Sequence, residues 1–395
     1  MAALLPPRGV QMSDILSHFG VWGGGWTGWI VPFLFGLGIV VFFHELGHFL
    51  VARWVGVRVL VFSVGFGPEI VGFNDRHGTR WKLSAIPLGG YVKFFGDQNA
   101  ASVPDQDAIA SMTEEERTQS FVHKSLPRRA AVVAAGPIAN FILSSVIFAA
   151  IFMINGKPSI TARVDEIVSG SAAERAGFKP GDVIVSIDGR AIESFEEVQR
   201  SVGSRPGEAL AVTVNRGGER VALTVVPGKV EEKSLLGTVR KGVLGIKRNP
   251  VAPDEVAVKS VGPIAAIGLG IDKTWWVIET TLGYLGKVIV GSEPPDQIGG
   301  VIGIAQVSGK VATLGFLPIL DLAGLLSVSI GLLNLFPIPL LDGGHLLFYG
   351  IEAVRGRPLS ERAQELGFRV GFAVVLMLML FSTYNDVNRL PWPWS

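Results

Sequence analysis

Phe42-Phe43-His44-Glu45-Leu46-Gly47-His48-Phe49-Leu50 lies inside an apolar run from Trp29 to Trp54, and the fold turns on how it is read. On a helix, imidazoles four residues apart share one face and can bind a single metal ion. Glu45 stands beside them, where a carboxylate can take a proton from an attacking water and return it to the leaving amine. The bare pattern has many chance matches. Here it is set among about 20 apolar neighbours, where an unpaired charge costs about 2.5–3.5 kcal/mol. Three adjacent ionisable groups in such a place need a cation as partner. The competing reading is a polar cluster that only holds helices together.

The composition agrees with a membrane setting. Of 395 residues, 48% are hydrophobic and 17% charged, which favours a polytopic membrane chain over two or three soluble domains. Four windows, 29–55, 130–154, 317–341 and 366–387, approach or exceed the roughly 20 apolar residues that cross a bilayer. A net charge of +1 gives no basic footprint, so nucleic acid is excluded as a partner. With no cysteine, thiolate ligands are impossible, and a metal must be held by His, Asp or Glu.

Arg53, Arg58, Lys124, Arg128 and Arg129 bracket the connection 56–129, and Arg355, Arg357, Arg362 and Arg369 lie in or flank 342–365. The positive-inside rule places both connections in the cytoplasm. Both termini, 1–28 and 388–395, then face outward with the long insert between the second and third spans. In the first connection, Arg58 to Val64 and Trp81 to Phe95 are rich in β-branched and aromatic residues, and Gly65, Gly67, Gly89 and Gly90 are read as turns between short strands. Asp97 to Gln119 is polar and acidic and reads as a loop.

The insert opens with an α/β module over 160–230: alternation at Val183, Val185 and Ile187 and again from Leu210 to Val214 predicts strands, and Ser194 caps a short helix. Linker and amphipathic helices fill 231–316. The Trp275/Trp276 stretch between Ile264 and Val290 is read as lying on the outer membrane surface, since another span would put the two cationic connections on opposite sides.

Catalytic zinc keeps three protein ligands and one open position, so a third ligand must come from another segment. Asp342 stands out at the end of Asn334-Leu-Phe-Pro-Ile-Pro-Leu-Leu-Asp342-Gly-Gly-His345, where two prolines and two glycines interrupt regular helix. Irregular backbone at membrane depth belongs where it lines a cavity. His345 is the rival ligand, with an interfacial role as its plainer reading.

These residues resemble the site-2 proteases, and most closely the bacterial branch that regulates sigma-E. The likeness runs through His44 to His48, the glycine-rich strands, Ala135-Gly-Pro-Ile-Ala-Asn140, Ala173-Glu-Arg-Ala-Gly-Phe-Lys-Pro-Gly-Asp182 and Asn334 to Asp342, in one order. It implies zinc held by His44, His48 and Asp342, Glu45 as general base and Asn334 as a substrate-backbone contact. It implies a polytopic α-helical membrane protein of about four transmembrane helices, with a cytoplasmic-side β-hairpin or sheet and one periplasmic PDZ domain, in the bacterial inner membrane. The implied activity is the second cut of regulated intramembrane proteolysis, on single-span substrates such as an anti-sigma factor, or on remnant signal peptides. Gly136, Pro137 and Asn140 are read as closing the approach of two helices, with a cross-helix hydrogen bond. A metal transporter and a catalytically silent adaptor are the readings from other classes.

Overall fold

The computed structural model describes residues 27–97, 111–192, 194–203, 205–234, 237–249, 256–291, 295 and 298–388. Most of the N-terminal segment, the acidic stretch 98–110 and the C-terminal Trp392 and Trp394 lie outside them. The described chain divides into two compact units, 1–151 with 267–395, and 152–266.

The first unit begins with α1 (Thr27–Trp54). It is apolar on all sides, as a helix in lipid is. It ends where Val57 N–H reaches back to the Ala52 carbonyl and Gly56 takes φ 76°, a left-handed turn that glycine adopts without strain. Next come β1 (Val59–Asn74) and β2 (Arg80–Phe94), which pair antiparallel. The expected short strands are visible in the register: Val61 to Val64 pair on one side with Gly90 to Lys93 and on the other with Arg80 to Leu83. Gly65, Gly67 and Gly89 have positive φ, and the ribbon folds back at them, so that Lys82 lies between Ser63 and Gly72. A tight reversal follows at Asp75 to Thr79, where the Asp75 carboxylate accepts from the His77 and Thr79 N–H groups. Because of the bends, Phe62 is flanked by both Val92 and Trp81.

Phe62 anchors the local core. It is 1% exposed, stacks on Trp81 at 4.2 Å and meets Phe42 and Phe49 edge-on. With Phe49, Ala52, Val59, Val92, Phe94, Val132 and Val133 it forms one buried cluster that joins the sheet to α1 and to α3 (Leu126–Asn155). The short helix α2 (Glu114–Gln119) lies between sheet and α3 and starts with a capping box from Thr113 and Glu116.

The second unit holds β3 (Lys157–Ile160), β4 (Glu166–Ile167), α4 (Ala172–Arg175), β5 (Val183–Ile187), β6 (Arg190–Ala191), α5 (Phe195–Gly203), β7 (Leu210–Arg216) and β8 (Glu219–Val225). Four of these strands make a sheet in the order β6-β5-β7-β8. The expected strands and the Ser194 cap are present, Ser194 Oγ accepting from Glu197 N–H. The hairpin of β9 (Gly228–Ser234) and β10 (Gly237–Val243) follows, then β11 (Ile246–Lys247) on β4 and β12 (Val256–Lys259) on β3. Leu244 belongs to the same buried core as Ile184, Leu210 and Val214, so the packed unit runs beyond residue 230.

The first unit resumes in α6 (Pro263–Ile289), α7 (Val301–Ala312), α8 (Phe316–Asn334), α9 (Asp342–Arg355) and α10 (Glu361–Asn388). Among the described residues four helices are long and apolar enough to cross a membrane: 28–54, 126–155, 316–334 and 362–388. At about 1.5 Å per residue the shortest, 19 residues, just matches a hydrocarbon core of about 30 Å. α6 is not among them. Ile264, Ile267, Ile271, Trp275 and Trp276 on it are exposed, while Thr274 bonds to Ser144 and Ser145 of α3.

Candidate metal centre

α1 brings His44, Glu45 and His48 to its crossing with α3, and two glycines make that crossing close. A Cβ on Gly47 would lie 2.3 Å from the Ala135 carbonyl, and one on Gly136 would lie 2.2 Å from His48 Nε2. Both positions therefore exclude any larger residue as the backbones stand.

Asp342 arrives from the opposite side. After α8, the segment Leu335 to Leu341 contains Pro337 and Pro339, and Leu340 sits at φ 113°, a conformation that is strained for a branched side chain. Gly343 and Gly344 pack on the carbonyls of Leu335, Phe336 and Ile338, where a Cβ would lie 2.3–2.4 Å away. Their lack of side chains lets α9 start directly against this loop, with Asp342 in its first turn. Arg129 of α3 holds α9 in place by pairing with Glu352 and lying over the Tyr349 ring.

The three side chains converge. His44 Nε2 is 3.2 Å and His48 Nε2 3.5 Å from Asp342 Oδ2, and the two nitrogens are 3.3 Å apart. Among the described residues this is the group of His, Asp and Glu atoms close enough to hold an ion. Three ligands at about 2.0–2.1 Å from one tetrahedral zinc are separated by about 3.3 Å, which is the triangle seen. Asp342 Oδ2 is buried without a hydrogen bond, a costly state that a cation relieves. His48 Nδ1–H donates to the Val132 carbonyl at 2.8 Å, leaving Nε2 free to ligate. The residues present fit zinc.

Glu45 is 9% exposed and next to the two imidazoles. β2 passes close to it, for a Cβ on Gly90 would lie 3.0 Å from Glu45 Cγ. All of these groups open on one cleft of about 750 Å³. Its walls are mainly apolar side chains of α1 and α8, the β2 segment Leu88 to Val92, and Val301 and Ile304 of α7. Asn334, His345 and Tyr349 also line it. His345 is not part of the converging triplet. It faces the same cleft and packs on Phe368.

The contribution of α7, the Val132 carbonyl and Tyr349 has no counterpart in the motif reading. Asn140 was legible as a hydrogen-bonding helix contact, and its partner is His44 itself, Nδ2 to Nδ1 at 3.1 Å.

Helices long and apolar enough to cross a membrane, around a His-His-carboxylate cluster, fit a membrane metalloenzyme, and comparison with known proteins shows a zinc metalloprotease. The sequence model described as peptidase family M50 matches residues 32–378, and the chain belongs to that family, the site-2 proteases. It is 50% identical to a protein of Agrobacterium fabrum named as a zinc metalloprotease, over 92% of this chain and 97% of that one. A Rhizobium meliloti protein with the same kind of name is also 50% identical, over 91% and 96%. Metalloprotease MmpA of Caulobacter vibrioides is 41% identical over 91% and 95%.

Proposed function

We propose that this metalloprotease hydrolyses peptide bonds inside the transmembrane segments of single-span proteins, with His44, His48 and Asp342 as zinc ligands and Glu45 as general base. The convergence of the three ligand atoms within 3.2–3.5 Å at the wall of an apolar cleft carries the reading. When bound, zinc supplies the Lewis acidity that activates water and polarises the scissile carbonyl.

The protein's own groups do the rest. Glu45 takes the proton of the attacking water and delivers it to the leaving amine nitrogen. His48, tied to Val132, keeps one orientation throughout. The apolar walls admit a lipid-embedded segment and exclude bulk water, which strengthens every charge interaction inside. A helical substrate presents carbonyls already hydrogen-bonded and shielded, so it must unwind before attack. The edge of β2 at Leu88 to Val92 lines the cleft, and main-chain pairing there would hold the unwound stretch as an added strand. Asn334, at the end of α8 and also in the cleft wall, would contact the substrate backbone.

The sequence motifs and the charge asymmetry support the wider setting. The chain is a bacterial inner-membrane protein with the 160–230 module, of PDZ type, and both termini on the periplasmic side. Its substrates are anti-sigma factors already shortened by a first protease, and remnant signal peptides, so it performs the second step of regulated intramembrane proteolysis.

The test uses purified parent and Glu45→Gln chains and a model transmembrane peptide, with and without a zinc chelator. Glu45→Gln should keep its zinc and lose cleavage by about 10²–10⁴-fold, and the chelator should silence the parent. Cleavage that survives both treatments overturns the assignment.

A further inference from the structure

Asn140 is fully buried where α1, α3 and α8 meet. Its main-chain carbonyl accepts from Ser327 Oγ at 2.8 Å, and Gly331 leaves room for it, since a Cβ there would lie 3.1 Å from Asn140 Cβ. The side-chain Nδ2 faces His44 Nδ1 at 3.1 Å, whereas Oδ1 is buried with no hydrogen-bond partner. An orphaned amide oxygen beside a donor-capable ring is unusual, because buried polar atoms are nearly always satisfied.

The chemistry of a ligating ring decides which amide atom should face it. An imidazole that gives its Nε2 lone pair to a metal carries its proton on Nδ1 and becomes a donor there. Facing it with an NH2 group sets donor against donor. Turning the amide about its last torsion exchanges two atoms of nearly equal size, so that Oδ1 accepts from His44 Nδ1–H. The oxygen then has a partner, the NH2 group takes the position without one, and His44 is fixed in both tautomer and ring plane. His48 needs no such turn, because its Nδ1 already meets a main-chain carbonyl, which can only accept. Asn140 therefore differs from Val132: it suits either tautomer of its histidine.

We propose that Asn140 is the positioning residue of His44, its amide oxygen holding the Nδ1–H tautomer that leaves Nε2 free for zinc. This rests on the ligand set proposed above. Loss of an outer hydrogen bond to a ligating histidine typically costs 10–100-fold in metal affinity, and that is the expected effect of removing the oxygen.

The experiment compares full-length parent, Asn140→Leu, Asn140→Asp, His44→Ala and Asp342→Ala in detergent micelles. It titrates zinc retention against a chelator and follows thermal unfolding of each zinc-free chain. Asn140→Leu should lose zinc at 10–100-fold lower chelator concentration than the parent. Asn140→Asp should stay within about threefold of the parent, since a carboxylate can only accept and forms the carboxylate-histidine pairing common around zinc. Were Asn140 a packing contact, or a donor through Nδ2, the buried carboxylate would weaken zinc retention as much as leucine does. That outcome overturns the proposal, as does parental retention by Asn140→Leu. If the leucine chain does not fold, the aspartate comparison decides. Retention of zinc by His44→Ala and Asp342→Ala would instead overturn the ligand set, while loss there with full retention in Asn140→Leu overturns this inference alone.

Discussion

The candidate metal centre depends on an absent side chain as much as on those present. A Cβ on Gly136 would lie 2.2 Å from His48 Nε2 and 2.9 Å from His44 Cε1, inside the volume both rings occupy. Gly136→Ala is expected to lower zinc affinity at least about 10-fold by metal analysis of the purified chain, although alanine is intrinsically the better helix former by about 1 kcal/mol. Gly38→Ala, with nothing within 4 Å of its Cβ, should keep the parental zinc content. His345→Ala should likewise keep one zinc per chain, because His345 stands outside the proposed ligand triangle; loss of the metal would make it a ligand. At this scale the sequence is most informative where residue type and spacing are both constrained. His44 and His48 announce themselves by their i, i+4 spacing, and Asp342 by a carboxylate in proline-broken apolar chain. A carbonyl such as that of Val132 carries no signature, since every residue has one. Asn140 is legible as a polar group in an apolar helix, but which of its several possible partners it meets depends on how α1 and α3 cross.

Elements were legible in proportion to how far local pattern decides them. The four long helices follow from apolar length alone, because in lipid a lone segment must satisfy its own backbone. The β1–β2 ribbon was harder. Glycine marks where the chain turns, but which segments then lie side by side depends on partners far along the chain, as the two-sided pairing of Val61 to Val64 shows. The 12-residue α7 is too short to register as a span, yet it supplies cleft wall because tertiary packing places it there. Asp75 makes the ribbon testable. Burial by itself would raise its carboxyl pKa, but the Thr79 and His77 N–H groups, the Trp81 indole and the Arg53 guanidinium outweigh that and hold it at about 2. A folded-state value below the unfolded value of 3.8 means the contribution is present above about pH 4 and is lost as pH falls toward 2. The size is about 2 kcal/mol as an order of magnitude. Asp75→Ala should therefore lower the unfolding temperature at pH 7, with the difference from the parent shrinking as the pH is taken toward 2. A difference unchanged across that range would mean the ionised carboxylate is not what holds the turn.

Across the whole molecule, the proposed ligand set ties together segments nearly 300 residues apart in the chain, α1 and the start of α9, through a single ion. A cation bound only by the folded arrangement stabilises that arrangement by mass action, and its removal should be felt first where the ligands meet. The amides of Gly344 and His345, both bonded to the Leu341 carbonyl, sit in the turn that presents Asp342. The 152–266 unit has a different dependence. Its core of Ile184, Ile187, Leu210, Val212, Val214 and Val225 is closed by its own side chains, and no residue of the ligand set contributes to it. Hydrogen exchange read by mass spectrometry on the intact protein in micelles, before and after chelation, separates the two. Peptides covering 132–140 and 342–349 should exchange about 10-fold faster or more once zinc is removed, because local opening no longer has to break metal bonds. Peptides of β5, β7 and β8 should be unchanged. Equal loss of protection in those strands would show that the ion stabilises the chain as one cooperative body, and a centre that exchanged no faster without zinc would show that the two ligand-bearing segments are held together by packing alone.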